Sequence, residues 1–241
     1  MNPQLSVVVP VCNEAQNVAP LAREIETALA GLRYEMIFVD DGSTDDTLVM
    51  LRGLRASGLN SLRIIRHSFR SGQSAAVASG VRAAHAPWIA TLDGDGQNDP
   101  ADIPRLLAAR NAPENADVQL IAGNRTTRRD TAFRRLQSRV ANGVRSRMLG
   151  DGTPDTGCGI KLFARAAFVD LPYFDHMHRF LPALFQRQGR RVISVSVGHR
   201  PRARGVSKYG MFDRLWVGIV DIYGVRWLRR RYQPGLAATE E

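Results

Sequence analysis

Three groups of oxygen-bearing side chains stand directly after strand-like apolar runs: Asn13-Glu14, Asp40-Asp41, and Asp93-Gly94-Asp95-Gly96-Gln97. In the last group, aspartates at i and i+2 after a strand turn two carboxylates toward one crevice. With Gln97 they offer hard oxygen ligands suited to Mg²⁺ or Mn²⁺, ions that keep several waters and bind substrate phosphates. One Asp-x-Asp says little, because Asp and Gly are common in solvated turns. Three such groups at three strand ends describe a site. No G-x-G-x-x-G follows the first strand, and no phosphate-cradling P-loop is present, so neither of those nucleotide folds is expected.

A second set of residues is basic. Arg134 and Ser138, at i and i+4, share one helix face, and Arg125 stands just after a strand near the same crevice. Guanidinium forks match phosphate oxygens bidentately, and a hydroxyl adds a third bond. A phosphomonoester, with a second pKa of about 6, is already largely deprotonated near pH 7. Such a nucleophile needs positioning more than a general base. His176 and His178 are therefore not read as bases; the His178-Arg179-Phe180-Leu181 stretch is expected to shape the acceptor side. Asp155 is read as touching the transferred group or positioning a loop.

These residues need a scaffold, and the first half of the chain supplies alternating elements. Leu5–Pro10, Glu35–Val39, Leu62–Arg66, Trp88–Leu92 and Val118–Ala122 read as strands, the first a continuous β-branched run typical of a strand buried on both faces. Between them, Gln16–Leu32, Asp45–Ser57, the small-residue stretch Gln73–Ala84 and a helix opening at Pro100-Ala101-Asp102 have helical character. Repeated βα units predict an α/β fold with a mostly parallel, doubly wound, Rossmann-like sheet that binds ligands at the carboxyl ends of its strands. Further on, Phe133–Leu149 reads as a basic helix, Lys161–Phe163 as a short strand, Phe180–Arg187 as a helix and Val192–Val197 as a half-exposed strand. Residues 1–210 are expected to form one domain, and residues 211–241 an amphipathic helix with a short tail.

With 241 residues, 44% apolar and 23% charged, the chain has globular composition. Two cysteines, Cys12 and Cys158, far apart and without Cys-x-x-Cys spacing, argue for a reducing compartment. Thirty-three basic residues against 23 acidic give a net charge of +10, and Lys161 and Lys208 are the only lysines. The excess sits in the second half, as suits a meeting with phosphates or an anionic surface. A nucleic-acid binder is not expected: the arginines of 125–147 lack a recognition motif and interleaved stacking aromatics, and an acidic crevice repels a phosphate backbone. The longest apolar run in the C-terminal region, Leu215–Val220, is far below the ~20 residues of a spanning helix.

The motifs together resemble a known family. Val8-Val9-Pro10-Val11-Cys12-Asn13-Glu14, Val39-Asp40-Asp41-Gly42-Ser43-Thr44-Asp45 and Asp93-Gly94-Asp95-Gly96-Gln97 resemble the donor site of family-two glycosyltransferases with the GT-A fold. Gly72-Gln73-Ser74-Ala75-Ala76, Ser138–Asn142, Asp155-Thr156-Gly157-Cys158-Gly159 and His199-Arg200-Pro201-Arg202 with Gly205, Ser207, Lys208 and Tyr209 extend the match. Together they resemble the polyprenyl-phosphate branch, which includes dolichol-phosphate mannose synthases and bacterial undecaprenyl-phosphate sugar transferases. The resemblance implies that Pro10, Glu14, Val39 and Asp41 hold the nucleoside, with Asp93 and Gly94 near ribose and diphosphate. By the same resemblance Asp95 and Gln97 bind the metal, Arg202 and Lys208 close over the diphosphate, and Arg125, Arg134 and Ser138 hold the lipid phosphate. Cys12 stands where a tyrosine is usual, and Gly96 replaces a common leucine, which is expected to loosen the metal loop.

The implied reaction is inverting transfer of a hexose from a GDP- or UDP-linked donor to a polyprenyl monophosphate. A polysaccharide or other non-lipid acceptor is the alternative. The sequence names neither sugar nor nucleotide. Trp216, Tyr223, Trp227 and Arg229-Arg230-Arg231 describe a helix lying in a headgroup region or packed on the domain. The expected location is cytoplasmic and peripheral, against the membrane surface, with a membrane-protein partner or a homo-oligomer compatible with that placement.

Overall fold

The computed structural model describes residues 2–125, 143, 145–201 and 211–233. Its seven strands are β1 (Leu5–Val11), β2 (Tyr34–Asp41), β3 (Leu62–His67), β4 (Trp88–Thr91), β5 (Val118–Arg125), β6 (Lys161–Ala164) and β7 (Arg191–Val197). They form one sheet in the order β3-β2-β1-β4-β6-β5-β7. β1 to β4 are parallel, β7 is parallel to β5, and β6 runs antiparallel to both its neighbours. The five strands of the first half are thus where the apolar runs place them. The reversed direction of β6 arises because its chain returns from the site end of the sheet.

The described helices are α1 (Val18–Ala28), α2 (Thr47–Ala56), α3 (Gln73–Ala83), α4 (Ile103–Asn111), α5 (Arg165–Val169), α6 (Leu181–Arg187) and α7 (Met211–Arg230). Period-two alternation in the strands feeds two cores. Val7, Val9, Met36, Phe38 and Ile121 meet α1, α2 and α4 on one face. Val8, Ile37, Val39, Leu120 and Phe163 meet α3, α5 and α6 on the other. On that second face Phe163 stacks on Phe168 at 5.2 Å and meets Phe185 edge-on at 5.9 Å. The small-residue helix packs closely as expected: a Cβ at Gly80 of α3 would collide with the Val8 side chain of β1.

After β3 the chain crosses to the far side of β1, so the winding direction changes between β1 and β4. That switch point leaves a crevice at the carboxyl ends of these strands. Asn13-Glu14 and the 93–97 loop both open from it.

Of the basic helix expected over 133–149, residues 145–149 are helical; Arg134 and Ser138 lie outside the described residues. α7 follows its expected span and docks by one face. Val225 is buried, and Ile222 and Leu228 pack against the second core. His176 Nδ1 lies 3.2 Å from Asp221, Arg187 Nε donates to the Leu228 carbonyl at 2.9 Å, and Arg229 donates to the Leu149 carbonyl. The opposite face exposes Ile219, Val220, Tyr223 and Trp227. Among the described residues, no helix is long and apolar enough to cross a membrane.

Candidate active site

The loop after β1 is sewn to the turn after β2. Asn13 takes a left-handed φ of 54°, which brings its amide N–H within 2.9 Å of Ser43 Oγ and its side-chain oxygen within 2.7 Å of the Thr44 N–H. Thr47 Oγ1 accepts the Glu14 N–H at 2.8 Å, and Glu14 Oε2 accepts Asn17 Nδ2 at 2.6 Å just ahead of α1. Pro10 and Val39 face each other across the β1–β2 pair. The adjacent aspartates diverge because strand residues alternate faces. Asp40 is fully buried and receives the Ser43 N–H at 3.1 Å. Asp41 points toward α3 and accepts the N–H groups of Ser71 and Gly72, each at 2.8 Å, with His67 Nδ1 also 2.8 Å away. Asp41 is therefore tied to the β3–α3 loop. Gly42 is required there, since a Cβ would overlap the backbone of Phe69 and Arg70.

The loop after β4 holds its own shape. Asn98 Oδ1 accepts the Asp93 N–H at 2.9 Å, and Asp95 Oδ1 accepts the Gln97 N–H at 3.1 Å. Gly94 lies against β1, where a Cβ would strike Val11 and the Pro10 carbonyl. Gly159 lies against the Asp93 carboxylate and the Asn98 amide in the same way. Gly96 has a φ of 73°, a left-handed turn that a leucine enters only with strain. Glycine therefore suits this backbone. Burial, and then the neighbouring Asp95 charge, push the Asp93 carboxyl above its usual range.

Lys161, at the start of β6, pairs in register with Thr91 of β4 and Ala122 of β5. It is 4% exposed and donates to the Cys158 carbonyl. Burial lowers its pKa, while the nearby Cys158 and Asp93 favour its charge. At the end of β5, Arg125 grips Asp155 with a fork, Nε to Oδ2 at 2.6 Å and Nη2 to Oδ1 at 2.8 Å. Burial alone would weaken that guanidinium, but the bond to Asp155 outweighs it and the pKa rises. Asp155 thus orients the Arg125 guanidinium. Across the crevice, Gln73 Nε2 donates to Asp93 Oδ1 at 2.9 Å, and Ser74 Oγ lies 2.8 Å from His178 Nδ1. Burial and the charge of Arg179 hold the His178 imidazole well below its usual pKa.

The strand ends thus bring together Pro10, Glu14, Val39, Asp41, Asp93, Gly94, Asp95, Gln97 and Arg125. Arg202 and Lys208, like Arg134 and Ser138, lie outside the described residues. Sequence reasoning missed Gln73 and Lys161 as neighbours of Asp93. Lys161 stood out by composition alone, as one of two lysines among 31 arginines. Among the described residues, no group of three or more His, Cys, Asp or Glu is arranged to hold a metal ion. Asp95 and Gln97 carry the hard oxygen donors that a divalent cation takes alongside phosphate and water.

Residues 6–171 match the family model described as Glycosyl transferase family 2. Over 238 residues the chain is 37% identical to dodecaprenyl-phosphate galacturonate synthase of Rhizobium johnstonii, covering 96% of this chain and 69% of that protein. It is 32% identical over 209 residues to undecaprenyl-phosphate 4-deoxy-4-formamido-L-arabinose transferase of Edwardsiella ictaluri, covering 86% of this chain and 63% of the relative. Glucosyl-3-phosphoglycerate synthase from Mycobacterium tuberculosis, solved with Mn²⁺, UDP and glucosyl-3-phosphoglycerate, superposes with a TM-score of 0.69 at 21% identity, over 94% of this chain and 80% of that one. A mannosyltransferase from Pyrobaculum calidifontis, solved with GDP-Man and Mn²⁺, gives 0.68 at 19% identity, over 98% of this chain and 66% of that one.

Proposed function

The chain belongs to glycosyl transferase family 2, and from that premise we propose that it transfers a sugar from a nucleoside diphosphate to a polyprenyl monophosphate, with inversion at the anomeric carbon. The observation that carries this reading is the 93–97 loop. It stands at the β1/β4 switch point with Asp93 held by Gln73, and with the forked Arg125 at the end of β5 on the far side of β6. In this reading Pro10, Glu14 and Val39 line the nucleoside pocket, and Asp41 shapes it through residues 71–72. Asp93 and Gly94 lie near ribose and diphosphate.

Asp95 and Gln97 would hold Mg²⁺ or Mn²⁺, which when bound neutralises diphosphate charge and makes the nucleotide a better leaving group. Arg202 and Lys208 would add positive charge to the departing diphosphate. Arg125, whose Nε and Nη2 are engaged by Asp155, would present its remaining Nη1 and Nη2 N–H groups to the acceptor phosphate together with Arg134 and Ser138. The acceptor arrives deprotonated, so these residues align it in line with the scissile bond and no side chain has to remove a proton. The neutral, internally bonded His178 agrees with that division of labour.

We place the enzyme peripherally on a membrane. The exposed Ile219, Val220, Tyr223 and Trp227, with Arg230 and Arg231 beyond them, form the aromatic and basic face that suits a headgroup layer. The activity test is a panel of UDP- and GDP-linked sugars, including galacturonate and formamido-arabinose donors, offered with undecaprenyl phosphate. Transfer of label from one donor into an organic-extractable, phosphate-linked product is the expected result. Label appearing solely on a water-soluble acceptor would overturn the lipid assignment.

A further inference from the structure

Where β7 ends, the chain is pinned to the metal loop by more contacts than a connection requires. The Gly198 N–H donates to Asp102 Oδ2 at 2.8 Å. Two residues later the Arg200 N–H donates to the Gln97 carbonyl at 3.0 Å. The Arg200 side chain then spans two elements: Nη1 reaches Glu24 of α1 at 2.8 Å, and Nη2 reaches Asp99 Oδ2 at 2.6 Å. Asp99 uses its other oxygen to cap the turn that begins α4, accepting the Ala101 N–H at 2.9 Å.

The reverse side of the loop is poorly packed. A cavity of about 240 Å³ opens beside Asp95 and Gly96, lined also by Asn17, Leu21, Glu24 and Arg200. Another of about 310 Å³ lies on the far side of the Arg200–Glu24 pair. A Cβ at Gly96 would meet nothing within 4 Å. Residues 95–96 therefore face Pro20, Leu21 and Pro201 across a cavity rather than in close packing, and the ties that hold the loop are polar.

We infer that Arg200 is a positioning residue for the divalent cation: its backbone and guanidinium together hold Gln97 and Asp99 where the loop presents Asp95 and Gln97 as ligands. The inference rests on the reading of those two residues as the metal ligands. A single exposed ion pair would contribute little. Here one guanidinium bridges two carboxylates on different elements and so steadies the Arg200 backbone that donates to Gln97. Lysine, with one ammonium, reaches either carboxylate but not both.

The test measures Mn²⁺ binding directly, by the loss of the free-ion paramagnetic resonance signal and by calorimetry, with UDP and without it. Wild type is compared with Arg200→Gln, Arg200→Lys and Asp95→Asn, each checked for an unchanged melting transition. Arg200→Gln is expected to weaken Mn²⁺ binding about tenfold and to raise the Mn²⁺ concentration for half-maximal rate by the same factor. Arg200→Lys should recover part of the loss. Added salt should weaken Mn²⁺ binding more in wild type than in Arg200→Gln, because part of the tie is ionic. Unchanged Mn²⁺ binding in a folded Arg200→Gln, with Asp95→Asn defective, overturns the role of Arg200 alone. Undiminished binding in Asp95→Asn overturns the metal assignment beneath it.

Discussion

Gln73 Nε2 donates a 2.9 Å hydrogen bond to Asp93 Oδ1, tying the first residue of α3 to the carboxylate that follows β4. Twenty residues of chain separate the pair, and the bond closes the crevice floor between two elements that otherwise meet through the sheet. Gln73→Ala leaves α3 its packing but releases Asp93 beside a second carboxylate. A hydrogen bond to a charged group contributes ~1.5–3 kcal/mol, so kcat/KM for the donor should fall about tenfold or more at unchanged melting temperature. Gln73→Glu, which adds a third negative charge, should be worse. Donor-titrated initial rates decide it, and wild-type kinetics in both variants would remove Gln73 from the site.

Asp95→Asn keeps the size of the side chain and removes its charge. Turnover should drop more than tenfold, equivalent to more than about 1.4 kcal/mol in the barrier, and chelation of divalent ions should reproduce the loss in wild type. Retention of over a tenth of the activity would count against Asp95 as a ligand.

Arg134→Ala/Ser138→Ala separates donor from acceptor. Calorimetric affinity for the nucleotide sugar should stay near wild type, while transfer into polyprenyl phosphate should fall by about two orders of magnitude, as expected for two lost charge-assisted bonds. Equal loss of donor binding would move both residues to the nucleotide site, and unimpaired transfer would leave them a solvated face.

The neutral His178 ring makes stability depend on pH. Its folded-state pKa lies well below the ordinary value because of burial and Arg179. Below the unfolded value of about 6.5, the unfolded chain therefore binds a proton that the native state refuses. Stability is full above that pH and declines on acidification, by at most about 1.4 kcal/mol per pH unit for this one group. His178→Asn loses the ring's contact with Ser74 and should be less stable at pH 7.5, yet flatter between pH 7 and 5. Urea midpoints across that range test it, and parallel slopes for the two proteins would show that His178 is not the titrating group.

What the sequence revealed was local. Val7-Val8-Val9 alternates between two cores and reads as a buried strand from five neighbours; the carboxylates after β1, β2 and β4 follow because a strand end and its turn are adjacent in the chain. Relations made by the tertiary fold were not legible. Arg125 and Asp155 meet across 30 residues, and no local pattern foretells that fork. The adjacent Asp40 and Asp41 separate onto opposite faces of β2, a difference of one residue in register. That Gly96 suits its turn was not legible, because a left-handed φ is a property of the folded loop. In α7 both faces carry apolar residues, Ile222, Val225 and Leu228 on one and Ile219, Tyr223 and Trp227 on the other. Periodicity alone could not choose the docked face; contact with the second core did.

The lone reversed strand also sets an order of assembly. β5 and β7 reach the rest of the sheet only through β6, which lies between β4 and β5. A ribosome that has released residues 1–125 has already made every carboxylate of the 13–97 crevice, and Arg125 as well. Yet β4 and β5 cannot join until residues 161–164 emerge to lie between them. Without β6, β4 would present an open edge, the kind of surface that pairs with another strand. The four residues that complete the sheet begin with Lys161. The strand that joins β4 to β5 is thus also the one that carries Lys161 to the crevice.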